Sequence, residues 1–333
     1  MKGYGYGMKL DLIVPHYKEP WETCKYLFDS IALQRGMDMD DIKVIVVNDG
    51  NDVILDDTKF LHYPFRVDYL IKDHAGVSAA RNHGLDCSDA DYVMFCDIDD
   101  GFLNNYGLHL VFSAMQEEPD MVISCFVEEV LNKDVMSIVR HDKDGTFVHG
   151  KVYKREFLET RNIRFDEDIT VHEDGCFNTI AIIEAGDNIK TIGTPFYLWR
   201  WNSNSVVRKD TNLFVMRTYD QLMLGKIRAC AELEKRGFVD EFYQMVCKTV
   251  FDSFYDHNKD EYNDPDNKKL IKLTETSFKR FYTKFRKAFW ECNITRMGEV
   301  AVACRSTAYT NGMRVERRDI RTWLDYIERK VKL

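Results

Sequence analysis

The strongest constraint on the fold is an alternation of strand and helix patterns between Leu10 and Phe126. Apolar runs that predict buried strands occupy Leu10–Val14, Lys43–Val47, Val67–Ile71, Tyr92–Cys96 and Met121–Phe126. Apolar residues at helical spacing lie between them, over Trp21–Leu33, Val77–Leu85 and Asn104–Gln116. Because strands joined through helices pair in parallel and are covered on both faces, this order predicts an α/β fold with a mostly parallel central sheet and flanking helices.

The pattern is mixed after Phe126 and almost entirely helical from about Asn212. We therefore expect a first domain over residues 1–211 and a helical C-terminal region over residues 212–333. Within that region, aromatic residues recur at i, i+3, i+4, i+7 and i+11, which places them on one helical face. We interpret that face as core: Phe278, Phe281, Tyr282, Phe285 and Phe289.

Charge is distributed unevenly along the chain. Residues 268–333 contain 17 Lys and Arg against 7 Asp and Glu, whereas the whole chain has a net charge of −9. An acidic body with a basic tail indicates that the tail meets an anionic partner, although a basic helical surface can also simply be solvated.

The composition also bears on location. No apolar run approaches the roughly 20 residues that a transmembrane helix needs, and no export signal is evident. The nine cysteines are scattered without a C-x-x-C pair, which favours reduced, mostly buried thiols. We therefore expect a cytoplasmic protein, with residues 268–333 as the part that can lie at a membrane surface.

Polar clusters follow three of the predicted strands. They are Pro15–Glu19, Asn48–Asp52 and Asp97–Asp100. Ligands of open α/β sheets bind at the carboxyl ends of the strands, so these clusters predict one shared site.

Two of the clusters carry carboxylates with a chemical use. Asp97 and Asp99 are spaced to lie beside one hard divalent cation, Mg²⁺ or Mn²⁺, which clamps a diphosphate; the alternative is a solvated acidic turn. Asp49 can accept a hydrogen bond from a nucleobase, or its cluster can serve only to turn the chain.

Two predicted helix starts complete the set. Gly76 opens the helix that carries Arg81, an arrangement that favours a phosphate-bearing ligand; the alternative is an ion pair with the acidic sheet edge. Glu173 and Asp174 begin the helix that contains Cys176–Ile183. One of them can take a proton from an acceptor hydroxyl, or both can complement the helix dipole.

In this order, the motifs resemble the family 2 glycosyltransferases of the GT-A fold, a Rossmann-like architecture, over about residues 9–208. The resemblance is carried by Val14–Glu19, Val46–Asp52, Gly76–Leu85, Asp97–Asp100, Gly150–Lys151, Tyr153–Leu158, Glu173–Asp174 and Tyr197–Arg200. It implies a metal-dependent transfer of a sugar from a nucleotide diphosphate sugar, with inversion at the anomeric carbon.

The resemblance also implies residue roles. Residues of about 9–101 form the nucleotide-sugar half and residues of about 102–211 the acceptor half. Asp174 corresponds to the catalytic base, with Glu173 as the substitute candidate. Asp99 corresponds to the metal ligand, and Asp97 faces both metal and ribose. The remaining donor contacts are Pro15, Tyr17, Glu19, Asp49, Arg81 near the diphosphate, and Arg200 in a segment that closes over the site.

The sequence departs from the family pattern at two positions. Lys18 and His74 each stand where Asn is usual, so the sugar is left open, although a uridine nucleotide is expected. A dinucleotide-binding oxidoreductase needs G-x-G-x-x-G after the first strand, where Pro15–Pro20 has no glycine. A nucleotidyltransferase usually has a glycine-rich loop with basic residues after the first strand, and this sequence has no such loop there. A non-catalytic nucleotide-sugar binding module is the other alternative, but every expected acidic group is present.

The acceptor is open. Family frequency favours a cell-envelope glycan or a teichoic-type polymer. A nucleic acid with hydroxylated bases is the alternative, and the basic residues 268–333 suit either polyanion or anionic lipid headgroups.

Overall fold

The computed structural model describes residues 7–50, 52–132, 134–203, 213–311 and 319–333. The chain divides into two compact units, Met1–Asn202 and Ser203–Leu333. The predicted boundary between residues 211 and 212 lies outside the described residues.

The N-terminal unit alternates strands and helices in the predicted order. Its strands are β1 (Leu10–His16), β2 (Ile42–Asp49), β3 (Arg66–Lys72), β4 (Tyr92–Phe95), β5 (Gly101–Phe102), β6 (Met121–Asn132), β7 (Val135–His141), β8 (Lys151–Lys154) and β9 (Ile189–Trp199). Its helices are α1 (Trp21–Ala32), α2 (Val77–Asp86), α3 (Gly107–Met115), α4 (Arg155–Thr160) and α5 (Glu173–Ala185).

These strands form one sheet in the order β3-β2-β1-β4-β8-β6-β9-β5, with β7 paired to β6. Strands β1 to β4 are parallel to their neighbours in that group, as predicted. Beyond β4 the sheet is mixed, because β8 runs antiparallel to both β4 and β6. The predicted α/β class is confirmed. Parallel pairing is continuous from β3 to β4, and β6 and β9 also pair in parallel.

The central strands are buried on both faces, which explains their continuous apolar sequences. Alternate residues of β1 and β2, such as Leu12 and Val46, join the main core with α1 and α3. The intervening Val47 packs with Ala80 of α2 on the opposite face. Helix α2 lies so close to β1 that a Cβ at Gly84 would be 2.4 Å from Ile13 Cγ2, so glycine is required there.

The C-terminal unit is helical in the described residues, as predicted. Its helices are α6 (Phe214–Arg217), α7 (Tyr219–Arg236), α8 (Val239–Asp256), α9 (Lys268–Glu291), α10 (Ile294–Thr310) and α11 (Ile320–Lys330). The aromatic face of α9 is buried, which confirms its interpretation as core. No helix among the described residues is long and apolar enough to cross a membrane.

Two basic residues of α9 contact α11. Lys279 Nζ donates to the backbone oxygens of Glu328 and Val331 at 2.8 and 2.6 Å, so it caps the end of α11. Arg286 Nε lies 3.0 Å from a carboxylate oxygen of Glu328. Both residues therefore hold α9 to α11, and neither is simply solvated.

The cysteines are as predicted, reduced and mostly buried. All nine cysteines are free and eight are buried, with Cys87 exposed.

Candidate functional site

The polar clusters meet at one edge of the sheet, as predicted. Strand β1 lies between β2 and β4 and is parallel to both, so their carboxyl ends point the same way. Tyr17, Asp49 and Asp97 occupy these ends. The chain order reverses direction across the sheet between β1 and β4, which is where open α/β sheets form their ligand crevice.

A buried arginine connects three parts of this edge. Arg81 of α2, whose side chain is 3% exposed, donates from Nη2 to Asp97 at 2.9 Å. Its Nη1 donates to Glu173 at 2.8 Å and to Asp174 at 2.6 Å. One guanidinium thus serves carboxylates from the end of β4 and the start of α5, which lie far apart in sequence. Four predicted site residues are brought together.

One positive charge cannot neutralise three carboxylates, and the pKa values reflect this. Burial and then the charge of Asp174 raise the pKa of Glu173 to about 7. Burial is the largest influence on Asp97 and opposes its ionisation, but the charge and hydrogen bond of Arg81, together with His149, lower the pKa of that carboxyl overall. The cluster therefore keeps excess negative charge.

Asp174 is oriented by two donors. Besides Arg81 on Oδ1, the backbone N–H of Val148 donates to Asp174 Oδ2 at 3.1 Å. His172, immediately before α5, has φ +70, so the chain turns sharply into the helix that carries both carboxylates. The carboxylate is held in place, which suits a group that must meet a substrate hydroxyl in a fixed direction.

The segment after β9 closes on the acidic loop 97–100. The Arg200 backbone N–H donates to Asp100 Oδ1 at 2.9 Å, and Arg200 Nη1 donates to the Asp99 backbone oxygen at 3.2 Å. Asn202 Nδ2 donates to Asp99 Oδ2 at 2.7 Å. Tyr197 Oη donates to Asp100 Oδ2 at 2.7 Å and accepts from the Asp97 N–H at 3.1 Å. Arg200 therefore lies at the site, as its motif predicted.

Carboxylates of this loop suit a cation. Burial, and next the charge of Asp97, raise the pKa of Asp99. Burial, and next the charges of Asp99 and Asp97, raise the pKa of Asp100 well above its usual range. Uncompensated charge in a partly buried oxygen-rich loop is the environment that Mg²⁺ or Mn²⁺ stabilises.

Asp49 is used inside the protein. Its Oδ1 accepts from Lys72 Nζ and from the Ala75 N–H, both at 3.0 Å. Its Oδ2 accepts from the Gly76 N–H at 2.8 Å and lies 2.7 Å from His74 Nδ1. Burial opposes ionisation, but these hydrogen bonds lower the pKa of Asp49. The residue therefore holds the entry to α2, and contact with a nucleobase stays a prediction.

The turn after β2 demands glycine. Gly50 has φ +65, and a Cβ there would lie 2.3 Å from the His74 backbone nitrogen. The close approach of these two segments keeps residues 73–76 beside Asp49.

The end of β1 presents an aromatic surface. The exposed ring of Tyr17 stacks on that of His74, with centroids 4.7 Å apart and planes inclined by 20°. Glu19 Oε2 accepts from the Tyr17 N–H at 2.7 Å. Pro15 pairs in register with Val47 inside the sheet. Tyr17 and Glu19, two of the predicted donor contacts, thus lie together. His74, which departs from the family pattern, stacks on Tyr17 and extends this surface.

Sequence reasoning missed His149. Its side chain is 3% exposed, and its Nδ1 lies 3.8 Å from Asp100 Oδ2. Burial lowers the pKa of His149 to about 4, so the ring is neutral at neutral pH. Asp97, Asp100 and His149 each offer a ligand atom within 4.8 Å of the others. The only signal in the sequence was its position directly before the Gly150–Lys151 motif.

Comparison with known proteins gives one family. The sequence model of the family described as glycosyl transferase family 2 matches residues 11–184. An uncharacterised glycosyltransferase, EpsJ of Bacillus subtilis, is 30% identical over 223 residues, covering 59% of this chain and 62% of that protein. The putative glycosyltransferase EpsH of the same organism is 23% identical over 211 residues, covering 57% of this chain and 61% of that protein. The chain thus spans about three-fifths of these relatives.

Solved structures share the fold. Crystalline S. aureus TarS has a TM-score of 0.61 at 16% identity, covering 91% of this chain and 54% of that one. A TarS 1–349 structure in complex with UDP-GlcNAc has a TM-score of 0.57 at 18% identity, covering 82% of this chain and 80% of that one. The GT-A-like architecture predicted from the motifs is confirmed.

Proposed function

The chain belongs to glycosyl transferase family 2, and from that premise we propose that it moves a sugar from a nucleotide diphosphate sugar, a uridine nucleotide preferred, to an acceptor hydroxyl with inversion. The observation that carries the proposal is the Arg81 cluster. It joins the acidic strand end to the two carboxylates of α5 in a single buried group. Donor and acceptor chemistry therefore have their residues side by side.

In this mechanism Asp174 accepts the proton of the acceptor hydroxyl. The hydroxyl oxygen attacks the anomeric carbon from the face opposite the leaving group, and the bond from that carbon to the diphosphate oxygen breaks. The nucleotide diphosphate leaves with the bonding electrons. Arg81 lies between the base and the acidic loop, where it also faces charge that develops on the leaving phosphate. Glu173 is the substitute candidate for the base.

A divalent cation, Mn²⁺ or Mg²⁺, completes the proposal. Asp97 and Asp99 would hold it, and the excess negative charge of their loop fits that use. When bound, such a cation neutralises charge on a departing diphosphate.

The nucleotide is assigned to the ends of β1 and β2. Tyr17 offers a stacking face, and Pro15 and Glu19 flank it. Asp49 fixes the segment that carries His74. Arg200 covers the acidic loop. The UDP and UDP-GlcNAc complexes of TarS, a protein of the same fold, support a uridine nucleotide here.

Calorimetry tests the nucleotide. In the presence of Mn²⁺, UDP is expected to bind more tightly than the diphosphates of thymidine, adenosine or guanosine. Asp49→Ala should raise the Kd for UDP about tenfold or more, because it releases the 73–76 segment, with little change in turnover at saturating donor. Asp57→Ala changes an exposed carboxylate in the segment after β2 and should leave the Kd unchanged. Tighter binding of a purine nucleotide would overturn the assignment.

The metal is tested by Asp99→Asn. Turnover is expected to fall at least about 100-fold while the thermal transition is kept, because the change removes a charged ligand but little volume. Excess chelator should produce the same loss in the unaltered protein. The exposed Asp187→Asn is the matched control and should retain full activity. Full activity of the wild type in chelator would reduce the loop to an acidic turn.

We assign the acceptor to the anionic envelope polymers, a teichoic-type polymer or a charged glycan. A nucleic acid with hydroxylated bases is the second candidate. The positive charge of residues 268–333 favours an anionic acceptor in both cases.

The acceptor is tested by charge reversal on α9. Arg280, Lys284 and Lys287 are exposed and recur at i, i+4 and i+7, whereas Lys279 and Arg286 hold α11 and should be left intact. The triple change to Glu should lower transfer to a polyanion about tenfold or more at low salt, with unchanged hydrolysis of the donor. DNA as acceptor would show a steep salt dependence of binding. If the triple variant transfers sugar at the wild-type rate at every salt concentration, this face is only solvated.

A further inference from the structure

We infer that His149 is a nitrogen ligand of the divalent cation at the acidic loop, which makes the site selective for Mn²⁺ over Mg²⁺. This inference rests on the proposed function, because it concerns the cation that the proposed transfer uses. To the proposed ligands Asp97 and Asp99 it adds the Asp100 carboxylate and a nitrogen from a segment outside the acidic loop.

The first observation is the orphaned nitrogen of His149. Nδ1 is buried and, within the described part of the chain, has no hydrogen-bond partner. Buried polar atoms are nearly always paired, since an unpaired one loses its hydration without compensation. A ring nitrogen left unpaired beside carboxylates is accounted for if it binds a cation.

The second observation is where that nitrogen points. It lies 3.8 Å from Asp100 Oδ2, and the ligand atoms of Asp97, Asp100 and His149 are all within 4.8 Å of one another. When two ligand atoms bind opposite sides of one cation through bonds of about 2.0–2.6 Å, the distance between the two atoms is similar to those separations. Asp100 keeps its hydrogen bond from Tyr197 Oη, a contact that orients the carboxylate.

The third observation is that the ring is fixed. It stacks on Tyr197 with centroids 5.0 Å apart and on Phe147 at 5.6 Å. Trp199 and Phe126 close the other sides at 5.0 and 5.3 Å. An aromatic cage prevents the imidazole from turning away to another partner, so its nitrogen is preorganised toward the acidic loop.

The ligand set decides which cation is preferred. Mg²⁺ favours oxygen ligands with near-ideal octahedral geometry. First-row transition cations bind sites of mixed nitrogen and oxygen ligands in an affinity order that begins with Mn²⁺. A site made only of carboxylates would discriminate less. His149 also directly follows Val148, whose N–H holds Asp174. Cation binding at His149 therefore steadies the segment that orients the proposed base.

Pulsed electron paramagnetic resonance of the full chain loaded with Mn²⁺ and UDP tests the inference without measuring activity. The wild type should show ¹⁴N modulation from a directly bound imidazole. His149→Phe keeps the aromatic packing and should lose that modulation, with Mn²⁺ affinity lowered about tenfold or more and Mg²⁺ affinity little changed. His141→Gln is the matched control, since His141 is nearby but pairs with Glu128, and it should retain the signal.

A second measurement keeps the test valid if His149→Phe fails to fold. Uniform ¹⁵N labelling of histidine in the wild type should replace the ¹⁴N modulation by that of ¹⁵N. Bound Mn²⁺ without nitrogen modulation, or modulation unaffected by the label, overturns the His149 assignment and leaves the proposed function standing. Failure of Mn²⁺ to bind in the presence of UDP overturns both the His149 assignment and the proposed cation site.

Discussion

Asp174→Asn is expected to lower turnover of glycosyl transfer by roughly 10²- to 10⁴-fold, because an amide cannot take the proton of the acceptor hydroxyl. The amide oxygen can still accept from the Val148 N–H, so the local backbone should be retained. Donor affinity should change little, since the acceptor proton is not involved in donor binding. Steady-state kinetics with saturating donor, together with calorimetric titration of UDP, separate the two effects.

Glu173→Gln is the matched control for the base. It changes the neighbouring carboxylate on the same guanidinium, and its effect on turnover should be at least tenfold smaller. If Glu173→Gln produces the larger loss, the proton passes to Glu173 and Asp174 belongs to the scaffold. If Asp174→Asn weakens donor binding but leaves turnover intact, Asp174 is a binding residue.

Arg81→Gln is expected to destabilise the N-terminal unit by about 3–5 kcal/mol, because three carboxylates lose their shared buried partner. For a unit of this size the loss corresponds to a fall in Tm of roughly 10 °C, measured by calorimetry. The loss should be smaller at pH 5 than at pH 8. The pKa of Glu173 is already raised to about 7, and without Arg81 it rises further, so protonation at low pH removes part of the repulsion.

Arg66→Gln is the control for this change. Arg66 is an exposed arginine paired with the single carboxylate of Asp68, and its loss should leave the free energy of unfolding almost unchanged. Equal effects of the two substitutions at pH 8 would mean that the Arg81 cluster is solvated and contributes little to the fold.

Much of the fold could be read from the sequence because its signals are local. Apolar strands closing on polar clusters predicted β1, β2 and β4, and parallel pairing placed their ends together. The mixed half could not be read in this way. Strand β8 has four residues, and its antiparallel position between β4 and β6 depends on pairing with segments distant in sequence.

The site shows the same division. The convergence of Arg81 with Asp97, Glu173 and Asp174 was predictable because ordered motifs carried it. The partners of Asp49 and the approach of His149 to Asp100 depend on long-range contacts, which periodicity does not encode. Lys279 shows how little a sequence says about surface contacts. Helical spacing places it outside the aromatic face of α9, but it does not reveal that the end of α11 lies over it.

Glycosyl transfer itself is tested most directly by mass spectrometry of the purified chain with Mn²⁺, a panel of UDP-sugars and anionic envelope polymers. The expected result is an acceptor that gains the mass of one sugar per event, with release of intact UDP, in the wild type but not in Asp174→Asn. Transfer of a nucleoside monophosphate to the acceptor would instead identify a nucleotidyltransferase. A donor that binds tightly and stays intact with every acceptor and with water would contradict transfer and leave a nucleotide-sugar binding module.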